Sequence, residues 1–143
     1  MKAQFADYKE KVLQSFNHQG LAHTLGIEVE DFGPGWFHTK MIPSQQILQH
    51  HNYVHAGALA SMADLSSGFA AYSLMSEKEE VLTVEFKINL LRPAVGEMIL
   101  CRAKVLKPGK RIYVSESEVF TVNEGIKKLA AKATVTLLVV DMD

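Results

Sequence analysis

One run of residues limits the folds open to this chain more than any other: "AGALASMADLSSGFAAYSLM", residues 56–75. Leu59, Met62, Leu65, Phe69, Leu74 and Met75, with alanines between them, leave few polar positions if the run is helical. A helix that is apolar nearly all round has to be surrounded, because covering one face would leave the rest in water. Asp64 interrupts this pattern. An ionised carboxylate in apolar surroundings is costly unless it is paired or has chemical work to do. Both explanations are open on composition alone: a structural acid joined to a neighbouring Lys or Arg, or a reactive group.

The rest of the chain supplies a wrapper. After "SEKEE" come four strand-like stretches, "VLTVEFKINLL", "EMILCRAKVL", "RIYVSESEVFTV" and "KKLAAKATVTLLVV". Turn signals divide them at residues 92–96, 107–110 and 123–125. Alternation is clearest where Val81, Thr83, Glu85 and Lys87 oppose Leu82, Val84, Phe86 and Ile88. Ahead of the helix, "LGIEVEDFGPG" and "WFHTKMI" read as a hairpin turning at Gly33, Pro34 and Gly35, followed by a polar stretch over 43–55. Phe5, Tyr8, Val12, Leu13 and Phe16 fall on one face of an amphipathic helix over about residues 3–17. The order is α–β–β–α–β–β–β–β, an α+β fold in which an antiparallel sheet curves around the central helix. No repeat or linker divides residues 1–143, so the chain reads as a single domain.

Charge narrows the partners. Fifteen basic and sixteen acidic side chains give a net charge of −1, with no dominant basic field for nucleic acid or an anionic membrane. The opening "MKAQFADYKEKVLQSF" lacks the continuous apolar core of a secretory signal, and no stretch reaches membrane-spanning length. Cys101 stands alone, which fits a reducing, cytoplasmic setting. His51-x3-His55 has the spacing of a zinc pair, but no cysteine joins it. No metal is expected.

The motif Gln49-x5-His55-Ala56-Gly57-x6-Asp64, set in this element order, resembles the hotdog-fold acyl-CoA thioesterases of the phenylacetyl-CoA (PaaI-like) type. The resemblance covers roughly residues 20–140. The family pattern is a carboxamide, a His-Gly-Gly helix start, an acid partway along the helix, a strand ending in an x-Pro turn and a basic hairpin. Arg92-Pro93 and Lys107-Pro108-Gly109-Lys110-Arg111 match the last two. Two positions depart from it: Ala56 replaces the first glycine, and Gln49 stands where asparagine is common. The resemblance implies hydrolysis of an acyl-CoA, with coenzyme A entering as part of the substrate and no separate cofactor.

Thioester hydrolysis needs a nucleophile or a base for water, and donors for the developing oxyanion. A helix start offers unsatisfied N–H groups and the positive end of the dipole, so the Ala56 amide, helped by Gly57, suits the second task. Asp64 suits the first, as nucleophile or as general base. The resemblance further implies that Gln49 orients the water or the carbonyl and that His55 shapes the helix entrance and contacts the substrate. It places Thr83 as a hydroxyl supporting the attacking water. Glu85 and the hairpin Lys107, Pro108, Gly109, Lys110 and Arg111 are its coenzyme A contacts. Met62, Phe69 and Tyr72 read as core residues or as the lining of an acyl pocket.

Ala56 and Asp64 lie eight residues apart, about 12 Å along a helix axis. A short aspartate cannot bridge that gap from its own helix. The expected assembly is a two-fold homodimer in which Ala56 of one chain faces Asp64 of the other, and the resemblance adds pairing of dimers into tetramers. Two other readings of the same fold are a hydratase or dehydratase and a non-catalytic acyl-CoA binding module. No Phe-Pro-Gly-type segment follows His51 or His55, which weighs against the dehydratase.

Overall fold

The computed structural model of the protein describes residues 1–142. Helices α1 (Tyr8–Asn17) and α2 (Gly20–Leu25) lead into strands β1 (Ile27–Gly33) and β2 (Trp36–Met41). A 3-10 turn at Gln45–Ile47 precedes the central helix α3 (Ala56–Tyr72). Strands β3 (Glu79–Leu90), β4 (Met98–Lys107), β5 (Ile112–Asn123) and β6 (Ile126–Asp141) complete the described chain. The strands form one antiparallel sheet in the order β1-β2-β4-β5-β6-β3.

The sheet curls around α3, which packs against strands across its whole width. Leu59, Met62, Ala63, Phe69 and Ala70 from the helix meet Phe37, Ile99, Val119, Val135 and Leu137 from the sheet in one core. Close approach of helix and sheet is helped by small polar residues. Thr39 and Ser66 share a hydrogen bond of 2.8 Å, and the Ser117 hydroxyl donates to the Ala63 carbonyl at 3.3 Å. At the far end of α3 the Ser73 hydroxyl accepts the Gly35 N–H at 2.8 Å, tying the helix to the β1–β2 turn. Gly35 has φ of +85°, a conformation that a side chain would strain.

The N-terminal region differs from expectation in two respects. Helix α1 begins at Tyr8, not near residue 3, and Leu13 is exposed while Val12 and Phe16 point into the core. A second helix, α2, closes the connection to β1. It has only six residues and is capped by Gly26 in the left-handed region at φ +75°, the usual glycine stop. So short a helix carries too little periodicity to stand out in a sequence.

The central helix also differs. It is not enclosed on every side: Gly57, Ala60, Ser61, Asp64, Leu65 and Gly68 form a stripe that the sheet leaves partly or fully open. Asp64 lies on that stripe, half-buried. Its carboxylate therefore escapes most of the desolvation that a fully enclosed helix would impose.

Strand β3 ends the sheet on one side, and its alternation is interrupted. A bulge after Thr83 inserts Val84, so that Thr83 pairs with Leu137 and Glu85 with Thr136. Val81, Thr83, Phe86 and Ile88 share the face of buried Val135 and Leu137, whereas Leu82, Glu85 and Lys87 take the outer face. A regular strand would have kept Thr83 and Glu85 on one face.

Candidate active site

Two groups of candidate residues sit on α3, one at its start and one at its middle. The start is prepared by the loop over 48–54, closed by the Leu48–Val54 bridge and by Gln49 N–H donating to the Tyr53 carbonyl at 2.8 Å. Asn52 turns this loop with φ of +63°. The Gln49 side-chain oxygen accepts the His51 N–H, so part of its amide capacity is spent within the loop. Val54 N–H donates to the Ala94 carbonyl and His55 N–H to the Ile47 carbonyl, at 2.9 and 2.8 Å. These bonds hold the helix entrance against the β3–β4 connection.

His55 is the N-cap of α3. Its backbone is extended at φ −60° and ψ 139°, and its Nδ1 accepts the Gly57 N–H at 2.9 Å. Nδ1 is therefore unprotonated in this arrangement, leaving Nε2 as the nitrogen free to meet a ligand. The Ala58 and Leu59 N–H groups donate to the His55 carbonyl. Among the described residues the Ala56 N–H has no hydrogen-bond partner. Of the first two helical amides, Ala56 is thus the one available to an oxyanion, and Gly57 supports it through the histidine cap. This entrance opens onto a groove of about 600 Å³ bordered by Gln49, His55, Ala56, Leu91 and Pro93.

Two turns further along α3, Asp64 Oδ1 accepts the Thr83 hydroxyl at 2.8 Å. Thr83 faces the helix in regular alternation with Val81, and the bulge just after it turns Glu85 to the outer face and brings Phe86 to the inner one. Asp64 and Thr83 border a second cavity, of about 210 Å³, whose other walls include Leu65, Phe69, Tyr72 and Val81. Phe69 and Tyr72 are thus both core and cavity lining, while Met62 is entirely core. Within one chain the two groups stay apart. Asp64 shares its cavity with Thr83, and Ala56 shares its groove with Gln49 and His55.

Sequence reasoning missed Ser15 and Gln19, which line the Asp64 cavity from α1 and its exit. Some fifty residues separate them from Asp64, and no local pattern marks such a contact. The amphipathic face of α1 was the available signal.

The hairpin between β4 and β5 carries Lys107, Pro108, Gly109, Lys110 and Arg111, all exposed apart from Gly109. Among the described residues none of its three cations is paired with a carboxylate. A Cβ at Gly109 would run into the Ile112 carbonyl, so the turn requires glycine. Ile112 pairs with Leu138, and Leu138 with Leu82. The basic hairpin therefore lies at the end of the sheet where β3 holds Thr83. Glu85 lies on the outer face and accepts the Thr136 hydroxyl at 2.9 Å, so it does not join the Asp64 group. The His50 and His51 rings sit 4.0 Å apart, and among the described residues no three His, Cys, Asp or Glu side chains are grouped to hold a metal ion. No helix of the described chain is long and apolar enough to cross a membrane.

Residues 51–127 match the sequence model of the Thioesterase superfamily. The acyl-coenzyme A thioesterase PaaI of Escherichia coli (strain K12) is 28% identical over 116 residues, which span 80% of this chain and 79% of that protein. The crystal structure of a thioesterase family protein from Silicibacter pomeroyi superposes with a TM-score of 0.92 at 37% identity, covering 94% of this chain and 98% of the other. A thioesterase from Haemophilus influenzae superposes with a TM-score of 0.82 at 25% identity, covering 91% and 89%.

Proposed function

Because the chain belongs to the thioesterase superfamily and has its hotdog fold, we propose that it hydrolyses acyl-CoA thioesters to the free acid and coenzyme A at sites shared between two protomers. The observation that carries this reading is the division of labour along α3. An unpartnered Ala56 amide stands at the helix start, and a carboxylate oriented by Thr83 stands two turns on, about 12 Å away.

A two-fold pairing with antiparallel central helices brings Ala56 of one protomer to Asp64 of the other. Two surface features support it. The open stripe of α3 includes Gly57, Ala60, Ser61 and Gly68, small residues that allow close approach, and β3 is an edge strand exposing Leu82, Val84, Phe86 and Leu90. An exposed apolar edge is a template for strand pairing with a second copy. Dimers then pair into tetramers.

In the assembled site the thioester carbonyl oxygen sits against the Ala56 N–H, where the helix dipole adds to the hydrogen bond. Asp64 either attacks the carbonyl carbon or takes a proton from the water that does. A C–O bond forms, the C–S bond breaks, and the thiolate leaves as coenzyme A and takes up a proton. Where Asp64 itself has attacked, water then cleaves the resulting acyl-aspartyl anhydride, releasing the acid and restoring the carboxylate. Thr83 holds the carboxylate by donating to Oδ1 and leaves Oδ2 for the reaction. Gln49 and the free His55 Nε2 border the groove on the oxyanion side. Lys107, Lys110 and Arg111 neutralise phosphates of the coenzyme. Lone, buried Cys101 suits a cytoplasmic location.

The test is a thiol-release assay over short, medium, long and aromatic acyl-CoAs, run beside Asp64→Asn. Turnover that the variant loses supports the reading. Tight acyl-CoA binding with no release of thiol would make the protein a binding module instead.

A further inference from the structure

Resting on that reading of Asp64, we infer that Lys11 is a positioning residue for substrate selection. It fastens α1 down as a separate wall of the Asp64 cavity, and bulky acyl groups depend on that fastening where an acetyl group does not. The cavity draws Ser15 and Gln19 from α1 and its exit. The rest of its lining, Asp64, Tyr72 and Thr83 included, comes from α3 and the strand after it. Without α1, this side of the cavity would open to water.

The helix has little of its own to hold it there. It has ten residues, no side-chain cap at its start and two buried side chains, Val12 and Phe16. A helix of that length is marginal by itself. The Phe16 ring lies 5.4 Å from that of Phe69 and 5.8 Å from that of Phe37, which anchors the C-terminal turn. The other attachment is polar. Lys11 Nζ donates to the Ser76 carbonyl at 2.6 Å and to the Glu79 carbonyl at 2.9 Å, and it stands 4.3 Å from the centre of the Tyr72 ring. One ammonium thereby joins α1, the end of α3 and the start of β3.

Two details make this a fastening and not a surface ion pair. Lys11 is half-buried, yet among the described residues it has no carboxylate within ion-pair distance. It spends two of its three protons on carbonyls and turns its charge to an aromatic face, so its work is holding and not touching substrate. Four residues on, Ser15 shares a hydrogen bond of 3.1 Å with the Tyr72 hydroxyl. Lys11 and Ser15 therefore grip one tyrosine, at its ring and at its hydroxyl, from one face of α1. Tyr72 itself lines the cavity, so what holds α1 in place also sets the cavity's shape. A two-carbon acyl group ends beside the reacting carbonyl and needs no such wall. A larger one is shielded from water only while α1 is seated.

The experiment measures hydrolysis of acetyl-, hexanoyl- and phenylacetyl-CoA by the intact protein and by Lys11→Met, which keeps an unbranched stem and removes charge and donors. For the two larger thioesters kcat/KM should fall about tenfold, the size of one hydrogen bond to a charged group. The loss should lie mainly in KM, with acetyl-CoA nearly unchanged. Lys11→Arg, which still donates to both carbonyls, should recover most of it. Hydrogen exchange gives a readout that needs no turnover. Amides over residues 8–17 should exchange about tenfold faster in Lys11→Met, while those of β4, β5 and β6 stay as they were. In the parent protein a non-hydrolysable hexanoyl-CoA thioether should slow exchange over 8–17, and its acetyl counterpart should not. This comparison decides the matter if Lys11→Met does not fold. An equal fall for all three thioesters overturns the inference and leaves hydrolysis standing, as does an unchanged preference or cleavage of acetyl-CoA alone. Exchange in α1 that ignores the thioether overturns it too. Failure to release thiol from any acyl-CoA, by contrast, overturns the function itself.

Discussion

Thr83 donates its hydroxyl to Asp64 Oδ1 at 2.8 Å, from the last residue before the bulge in β3. The pair joins helix to edge strand at a place where neither residue is fully buried. One carboxylate oxygen is thereby held and the other left free, which is the arrangement a reacting carboxylate needs. Asp64→Asn, nearly isosteric, should lower kcat by at least ~10²-fold, the range usual for loss of a general base. The folded variant, checked by its thermal midpoint, should keep a KM near the original. Turnover close to that of the parent would remove Asp64 from the chemistry.

Thr83 should act through Asp64 and not by itself. Thr83→Ala should cost about tenfold in kcat, as outer partners of reacting groups commonly do, while Thr83→Ser, which keeps the donor, restores most of it. Equal loss in both variants would mean that the methyl group and strand packing matter, not the hydrogen bond.

The central helix, the turns and the four C-terminal strands were legible because their signals are local: apolar runs, Pro and Gly punctuation, alternation. The candidate site was legible through Asp64, an acid where the pattern calls for an apolar residue. What could not be read depends on the third dimension. Which side of α3 stays open follows from where the curled sheet stops, so an Asp64 expected in enclosed surroundings is only half-buried. The bulge at Val84 swaps the faces of Glu85 and Phe86 without any glycine or proline to announce it. Ser15 and Gln19 reach the site from a helix that is distant in sequence and outside the motif.

For the basic hairpin, Lys110→Ala with Arg111→Ala should raise KM for acyl-CoA several-fold with kcat nearly unchanged. Contacts to the remote nucleotide act alike on ground and transition states. The effect should shrink in high salt, because exposed charges are screened. A KM unmoved at low ionic strength would reduce these residues to a solvated turn.

Cys101 offers a pH test of packing. Burial pushes its thiol up to about 11, with Ser66, Ser117 and Thr39 nearby acting in the opposite direction. In the unfolded chain the same thiol ionises near 9. Above that pH the unfolded state loses a proton that the folded state keeps, so stability falls as pH rises from about 9 to about 11. Cys101→Ala should flatten that decline in urea titrations. Native protein at pH 8 should also resist a thiol-specific reagent and react fully once unfolded. Rapid native labelling would contradict the buried placement.

The two-chain site yields the sharpest test. Asp64→Ala removes the carboxylate. Ala56→Pro removes the candidate oxyanion donor at the first helical position, where proline is accommodated because that amide has no partner within the helix. The local backbone permits it: His55, the residue ahead, is already extended at φ −60° and ψ 139°, as a residue preceding proline must be. Each variant alone should fold, keep the parent's oligomeric state and lack activity. Refolded together in equal amounts, half of the dimers are mixed. In each mixed dimer one site combines both defects, and the other combines the intact Asp64 of the Ala56→Pro chain with the intact Ala56 of the Asp64→Ala chain. Roughly a quarter of the parent activity should return if sites act independently. Recovery cannot arise within one chain, because each chain lacks one of the two groups. No recovery, with mixed dimers verified by native mass spectrometry, would place both groups within a single chain or remove one of them from the reaction.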